Sequence, residues 1–130
     1  MTLRPDVFSL LLVDDDPDDI LLAETALDEL STSVDVEILR NGEQALKRLQ
    51  QKPTPDLVLM DMNMPRLSGL EVLLELRHSA RDLKVVLWSS GWQPLDESRV
   101  LASGGQAYLH KPTSYSALVT LLKALVQGVV

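Results

Sequence analysis

The 130-residue sequence predicts an α/β fold, a doubly wound (βα)5 parallel sheet with helices on both faces. Short β-rich apolar runs alternate with segments of helical periodicity, and this alternation repeats five times. The runs at 10–13 and 57–60 are continuously apolar, which is typical of strands covered on both faces. Strands separated by helices require right-handed crossovers and therefore a parallel sheet. We expect the strand order 2-1-3-4-5, which five such units commonly adopt.

The boundaries of the elements follow from caps, turns and periodicity. We predict strands at 10–13, 34–38, 56–61, 84–89 and 107–110, and helices at about 17–30, 42–50, 70–79, 95–103 and 118–125. In the first unit, Asp16 is the predicted helix N-cap and Pro17 the first helical residue. The second strand alternates apolar and polar residues, and Asn41-Gly42 turns the chain into a short helix that two prolines follow.

The remaining units have helices with apolar stripes. After a loop at 62–69, one side of the third helix is predicted to carry Leu70, Leu73, Leu74 and Arg77. Gly104-Gly105 is expected to end the fourth helix before a brief fifth strand. The apolar stripe of the last helix consists of Leu118, Leu121, Leu122 and Leu125.

The length and the hydrophobic content indicate one domain. We expect its core at about 8–127 and no output domain. Cysteine is absent, which excludes disulfides and thiolate metal sites and is compatible with a cytoplasmic location. The N-terminal segment lacks the pattern of a signal peptide, and no apolar run is long enough to span a membrane. A net charge of −7 opposes direct binding to nucleic acid or to an anionic membrane.

Acidic residues follow two of the predicted strands. Asp14 and Asp15 come directly after the first strand, and Asp61 ends the third. The order 2-1-3-4-5 would bring these carboxylates together at the carboxyl edge of the sheet. Unit charges ~4 Å apart repel by roughly 4 kcal/mol at an effective dielectric of about 20, so a compensating cation is needed. Because the ligands are oxygen atoms, Mg²⁺ is the cation that suits the site best, and Mn²⁺ is the alternative.

Four motifs stand in order at the ends of predicted strands: Val13-Asp14-Asp15, Asp61-Met62-Asn63-Met64-Pro65 through Gly69, Ser89-Ser90, and Lys111-Pro112. With them, nearly the whole chain resembles the response-regulator receiver domains of two-component signalling, in particular stand-alone, chemotaxis-regulator-like members. The resemblance implies a flavodoxin-like fold and a switch phosphorylated by a histidine kinase or phosphotransfer protein. It also implies an unidentified downstream protein target, and it is compatible with a homodimer.

The resemblance also assigns roles to individual residues. Asp61 corresponds to the phosphoacceptor, a carboxylate nucleophile that becomes an acyl phosphate. Asp14, Asp15 and Asp61, with the backbone carbonyl of Asn63, correspond to the Mg²⁺ ligands.

Further positions correspond to groups that hold and sense the phosphoryl group. Ser89 corresponds to the hydroxyl that moves towards it, and Ser90 to a small neighbour that leaves room and offers a backbone N–H. Lys111 corresponds to the neutralising ammonium, in a loop that Pro112 holds, in relatives through a cis peptide. Tyr108 corresponds to an aromatic residue that turns inward on activation, although a half-buried strand tyrosine explains it nearly as well.

Other polar residues have simpler explanations. Asp16, Asp18 and Asp19 are interpreted as helix-start acids only. His78 and His110 belong to no ligand pattern and are assigned no role. Three methionines at 60, 62 and 64 are interpreted as packing residues.

Three features depart from the usual receiver pattern. The fourth helix starts late, after Gly91-Trp92-Gln93-Pro94; Thr113 stands where an aromatic residue often follows; and Ser89 replaces threonine. The loop and Thr113 resemble, more weakly, single-domain regulators that serve bacteriophytochrome-type kinases.

A rival hypothesis is a Mg²⁺-dependent phosphohydrolase of similar architecture with an aspartyl nucleophile. Such enzymes usually have a second acid two residues after the nucleophile as general acid, and here that residue is Asn63. The sequence therefore favours a regulatory switch over a turnover enzyme.

Overall fold

A computed structural model describes residues 7–77 and 83–129. Over these residues five strands alternate with five helices, as predicted. The elements are β1 (Phe8–Val13), α1 (Pro17–Asp28), β2 (Val34–Leu39), α2 (Gly42–Leu49), β3 (Leu57–Asp61), α3 (Gly69–Arg77), β4 (Val85–Ser89), α4 (Pro94–Ala102), β5 (Ala107–His110) and α5 (Tyr115–Val126). Within the described ranges, every helix is too short or too polar to cross a membrane.

The five strands form one parallel sheet in the order β2-β1-β3-β4-β5. The predicted strand order is confirmed. The register pairs Val13 with Met60, Asp61 with Trp88, and Ser89 with His110. The carboxyl ends of β1, β3, β4 and β5 therefore lie side by side along one edge of the sheet.

Alternating strand residues supply two separate apolar cores. Leu11 and Val13 of β1 pack on the face that α2, α3 and α4 cover, whereas Leu10 and Leu12 pack on the face that α1 and α5 cover. All four side chains are at most 2% exposed. Burial on both faces explains why the strands are continuously apolar and why charge appears only where they end.

The helix ends follow the predicted signals more closely than the helix faces do. Asp16 caps α1 by accepting a hydrogen bond from the Asp18 N–H at 2.9 Å, which confirms its role as N-cap. The stripe predicted along one side of α3 is only partly buried: Leu73 is 4% exposed, whereas Leu74 is 39% exposed. The buried residues of that helix are Gly69, Val72, Leu73 and Leu76. His78, at the predicted end of α3, lies outside the described residues.

Gly69 lets the start of α3 lie close to the end of β3. A Cβ on Gly69 would lie 2.5 Å from the backbone oxygen of Asp61, a distance that real Cβ atoms essentially never show. Its N–H donates to the Met62 carbonyl at 3.0 Å. The missing side chain lets the loop after β3 return to the strand end.

We therefore expect Gly69→Ala to lower the free energy of unfolding by about 1–3 kcal/mol, because the methyl group collides with backbone rather than with a movable side chain. Gly91→Ala is the matched control, since a Cβ there would meet only the Ser89 Oγ, at 3.8 Å. Chemical denaturation of both variants measures the difference. Equal stabilities would contradict the close approach at Gly69.

Candidate functional site

Three carboxylates meet where β1 and β3 end. Asp14 is fully buried, Asp61 is buried and Asp15 is half-buried. One oxygen from each lies within 4.8 Å of the others. The sequence prediction that these three residues come together is thus met by the geometry. The parallel register is the cause, because it aligns the strand ends.

Lys111, just after β5, reaches into this cluster. Its Nζ donates to Asp14 Oδ2 at 2.9 Å, to Asp19 Oδ2 at 2.9 Å and to Asp61 Oδ2 at 3.2 Å. The ammonium also lies 5.6 Å from the centre of the Trp88 ring, a cation–π contact. The backbone N–H of Lys111 donates to the Ser89 carbonyl at 2.9 Å, which ties the lysine to the end of β4.

Asp19 is a site residue that the sequence analysis missed. Its interpretation as a helix-start acid only is wrong, because its carboxylate is bonded to Lys111. The available signal was periodicity: Asp19 stands four residues before Ala23 and seven before Ala26, both buried in α1. It therefore continues the inner side of α1 to the edge of the sheet. Asp18 is exposed in the first turn, as expected.

Burial and pairing shift two pKa values in this cluster. Burial raises the pKa of Asp14, and its hydrogen bonds from the Asp16 N–H and from Lys111 only partly oppose the rise. Burial lowers the pKa of Lys111, but its hydrogen bonds to Asp19 and Asp14 outweigh this and raise the pKa above its usual range. The ammonium is thus held protonated, while the ionised Asp14 is disfavoured by its surroundings.

Ser89 and Asn63 join the end of β4 to the loop after β3. The Ser89 side chain is fully buried, and its Oγ accepts hydrogen bonds from Asn63 Nδ2 at 2.8 Å and from the Gly91 N–H at 3.0 Å. The Asn63 N–H donates to Asp61 Oδ1 at 2.9 Å. One residue, Asn63, therefore contacts both the buried carboxylate and the buried hydroxyl. Ser90 follows β4 directly and is exposed.

Tyr108 lies inside the protein, under Trp92. It is only 3% exposed, so the half-buried alternative is wrong. The Trp92 ring stacks on Tyr108 with centroids 6.1 Å apart, and its Nε1–H donates to the Tyr108 carbonyl at 3.1 Å. Burial raises the pKa of the Tyr108 phenol, and the neighbouring Ser89 hydroxyl opposes the rise. Trp92 lies two residues before α4, which begins at Pro94.

The remaining predicted residues are peripheral. Pro112 is half-buried after Lys111, and the cis peptide implied by the resemblance is absent there; the cis bond in the described chain is Lys52–Pro53. His110 is exposed, with Nδ1 2.9 Å from the Lys111 carbonyl oxygen. The methionines at 60, 62 and 64 pack in the core beneath α2, α3 and α4, as expected.

The donor set of this site fits a hard divalent cation. Asp14, Asp15 and Asp61 offer converging carboxylate oxygens, and Asp14 is fully buried. Carboxylate oxygens of this kind bind Mg²⁺ and Mn²⁺ rather than soft metals. The three carboxylates are the residues that would hold such an ion.

The chain is similar to receiver domains in sequence and in structure. The family model of the response regulator receiver domain matches residues 10–123. The nitrate/nitrite response regulator NarL of Escherichia coli K12 is 34% identical over 124 residues, which are 92% of this chain and 54% of NarL. The chain spans between a quarter and about half of the length of the curated relatives that it matches.

Two solved structures have the same fold. The phosphorylated cyanobacterial phytochrome response regulator RcpA has a TM-score of 0.82 and 28% identity, with 91% of this chain and 90% of RcpA covered. The Mn²⁺-bound form of the response regulator Rcp1 has a TM-score of 0.79 and 28% identity, with 91% of each chain covered.

The raised pKa of Asp14 generates a stability prediction for metal-free buffer. Asp14→Asn removes the buried charge but keeps the oxygen that accepts from the Asp16 N–H, so it should raise the free energy of unfolding at pH 7 by about 1 kcal/mol. An acid whose folded-state pKa is raised loses stability as pH rises from its ordinary value of 3.8 through the folded-state pKa. The advantage of the variant should therefore grow over that window and vanish at lower pH.

Thermal and urea unfolding at several pH values, in chelator, measure this effect. Asp15→Asn is the control, because Asp15 is half-buried rather than fully buried. A pH-independent difference, or a less stable Asp14→Asn at pH 7, would contradict the assignment of burial as the dominant cost.

Proposed function

Because this chain belongs to the response regulator receiver domain family, we propose that it is a phosphorylatable switch. Asp61 accepts a phosphoryl group from a histidine kinase or phosphotransfer protein in a Mg²⁺-dependent reaction, and the phosphorylated chain signals by contact with another protein. The single observation that carries this proposal is the bonding of a buried carboxylate, Asp61, to the Lys111 ammonium beside a buried serine hydroxyl.

Asp61 is the nucleophile in this proposal. An oxygen of its carboxylate attacks the phosphorus of a phosphohistidine, a P–O bond forms, the P–N bond breaks, and the ring nitrogen takes back its electron pair. The Asn63 N–H bonded to Oδ1 and the Lys111 ammonium bonded to Oδ2 fix the orientation of the carboxylate. A fixed orientation lowers the entropic cost of the in-line attack.

Asp14, Asp15 and Asp61, with the backbone carbonyl of Asn63, would hold the Mg²⁺ ion. When bound, Mg²⁺ supplies positive charge to the phosphoryl oxygens during transfer. The convergence of the three carboxylates supports this assignment, and so does the likeness to Rcp1, whose structure contains Mn²⁺. Mn²⁺ is a chemically suitable substitute.

Lys111, Ser89 and Ser90 complete the phosphoryl site of the proposal. The ammonium of Lys111 neutralises one phosphoryl oxygen. The Ser89 hydroxyl leaves its present partner, Asn63, and forms a hydrogen bond to a phosphoryl oxygen instead. Ser90 leaves space at the strand end and offers its backbone N–H. Pro112 stiffens the loop that carries the lysine.

Signalling then depends on the segment after β4. Movement of Ser89 would break its bonds from Asn63 and Gly91, and so release the loop that carries Trp92. Tyr108 is already inward, so the proposed change lies in Trp92 and the start of α4 rather than in rotation of the tyrosine. The downstream partner would read this surface.

Asn63 also supports a regulatory role over phosphohydrolase turnover. Its amide is hydrogen-bonded to Ser89, and an amide cannot protonate a leaving group as the second carboxylic acid of a hydrolase does.

The likeness to RcpA, a phytochrome response regulator, supports a photoreceptor-type histidine kinase as the phosphoryl donor. A cytoplasmic location is part of the same proposal, and the absence of cysteine is compatible with it.

The nucleophile assignment predicts that acetyl phosphate, or a cognate kinase, with Mg²⁺ adds one phosphoryl group to the wild-type chain and none to Asp61→Asn. Intact-protein mass spectrometry measures the addition. Asp35→Asn, which removes an exposed acid from β2, should be labelled like wild type. Labelling of Asp61→Asn to the wild-type level would place the acceptor elsewhere.

The switch assignment predicts a fluorescence change on binding of beryllofluoride, a phosphoryl mimic. Emission from Trp88 and Trp92 should change only with Mg²⁺ present, and Ser89→Ala should shrink the change while Mg²⁺ binding persists, because Ser89 supplies part of the preference for the activated state. Ser98→Ala, an exposed serine of α4, is the control. An undiminished response in Ser89→Ala would uncouple this hydroxyl from the loop.

A further inference from the structure

The Lys111 ammonium has three N–H donors, and each has a carboxylate acceptor. Its distances to Asp14 and Asp19 are 2.9 Å, and its distance to Asp61 is 3.2 Å. The side chain of Lys111 is only 13% exposed, so these carboxylates dominate its surroundings. The long, flexible lysine side chain is therefore held in one position by three anions: one follows β1, one lies in α1 and one ends β3.

Two of those three acceptors have other duties in the proposed function. Asp14 and Asp61 belong to the cluster that would hold the metal, and Asp61 becomes an acyl phosphate. Both bonds to Lys111 weaken when that happens, because the charge of each carboxylate is shared or displaced. Asp19 lies outside the cluster of converging metal-binding oxygens. Of the three acceptors, it is the one whose carboxylate neither holds the metal nor takes the phosphoryl group in the proposed function.

We propose that Asp19 is a positioning residue for Lys111: it anchors the ammonium to the first turn of α1, so that the other N–H groups remain directed at the phosphoryl group on Asp61. This inference rests on the proposed function and deepens it. It gives the first turn of α1 a role in phosphoryl binding in addition to helix capping. Asp18, its neighbour in the same turn, has no such role.

A carboxylate near a phosphoryl group also repels it, and the geometry decides which effect is larger. The Asp19 side chain is 36% exposed, so water screens its charge at a distance. Its bond to Lys111 is direct, and the ammonium lies between Asp19 and Asp61 because it is bonded to both. The Asp19–Lys111 pair therefore presents the ammonium, not the carboxylate, to the phosphoryl group. Loss of Asp19 would free the Lys111 side chain to adopt other rotamers.

The test compares Asp19→Ala with Asp18→Ala, which removes the same charge from the same helical turn. Tryptophan emission measures the apparent Kd of beryllofluoride at saturating Mg²⁺, and a separate titration measures the Kd of Mg²⁺ alone. We expect Asp19→Ala to weaken beryllofluoride binding about tenfold, the scale of one charge-assisted hydrogen bond, with Mg²⁺ affinity within about twofold of the Asp18→Ala value. Asp19→Glu should recover most of the loss, because it restores a carboxylate that can reach Lys111.

The inference would be overturned if Asp19→Ala bound beryllofluoride as tightly as Asp18→Ala, or more tightly. A parallel loss of Mg²⁺ affinity, which would place the action of Asp19 on the metal, or a failure of Asp19→Glu to recover binding would also overturn it. Thermal unfolding of all variants shows that each is folded at the assay temperature. A wild-type chain that binds no beryllofluoride and accepts no phosphate would refute the proposed function together with this inference, whereas unchanged Asp19→Ala binding refutes the inference alone.

Discussion

The neutralisation of buried carboxylates by Lys111 is the interaction on which the rest of this site depends. Asp14 is fully buried and Asp61 nearly so, and an unpaired charge in such a position costs several kcal/mol. Lys111 follows the edge strand β5, and its side chain extends past the end of β4 to reach both acids. The pairing of β5 with β4 therefore positions the ammonium that offsets these buried charges.

This arrangement places opposing demands on the same atoms. Pairing with Lys111 makes the metal-free cluster tolerable, but the same ammonium competes with a cation for Asp14 and Asp61. Burial raises the pKa of Asp14, and the hydrogen bonds from the Asp16 N–H and from Lys111 oppose only part of that rise. Buried carboxylates lower the free energy of unfolding, and binding of a divalent cation would offset that loss. Functional sites commonly lower stability in this way.

A continuous set of contacts leads from the acidic cluster to the surface of the protein. Asn63 contacts Asp61 and Ser89, Ser89 contacts the Gly91 N–H, and Trp92 beyond it covers Tyr108. These contacts are directional hydrogen bonds and a ring stack, and Gly91 and Trp92 are consecutive in the chain. The late start of α4 is what gives the chain this Trp92 loop.

The sequence by itself predicted the five alternating units, the strand order, the N-cap of α1 and the group of acids at the strand ends. The units, the cap and the acids follow from local signals, since apolar runs end where charge begins and caps depend on residues within one turn. The strand order was expected because five such units commonly adopt it. The inner side of α3, the burial of Tyr108 and the bond between Asp19 and Lys111 were decided only by the tertiary structure. Asp19 and Lys111 are 92 residues apart, and their contact depends on how α1 packs against the sheet, which no local pattern contains.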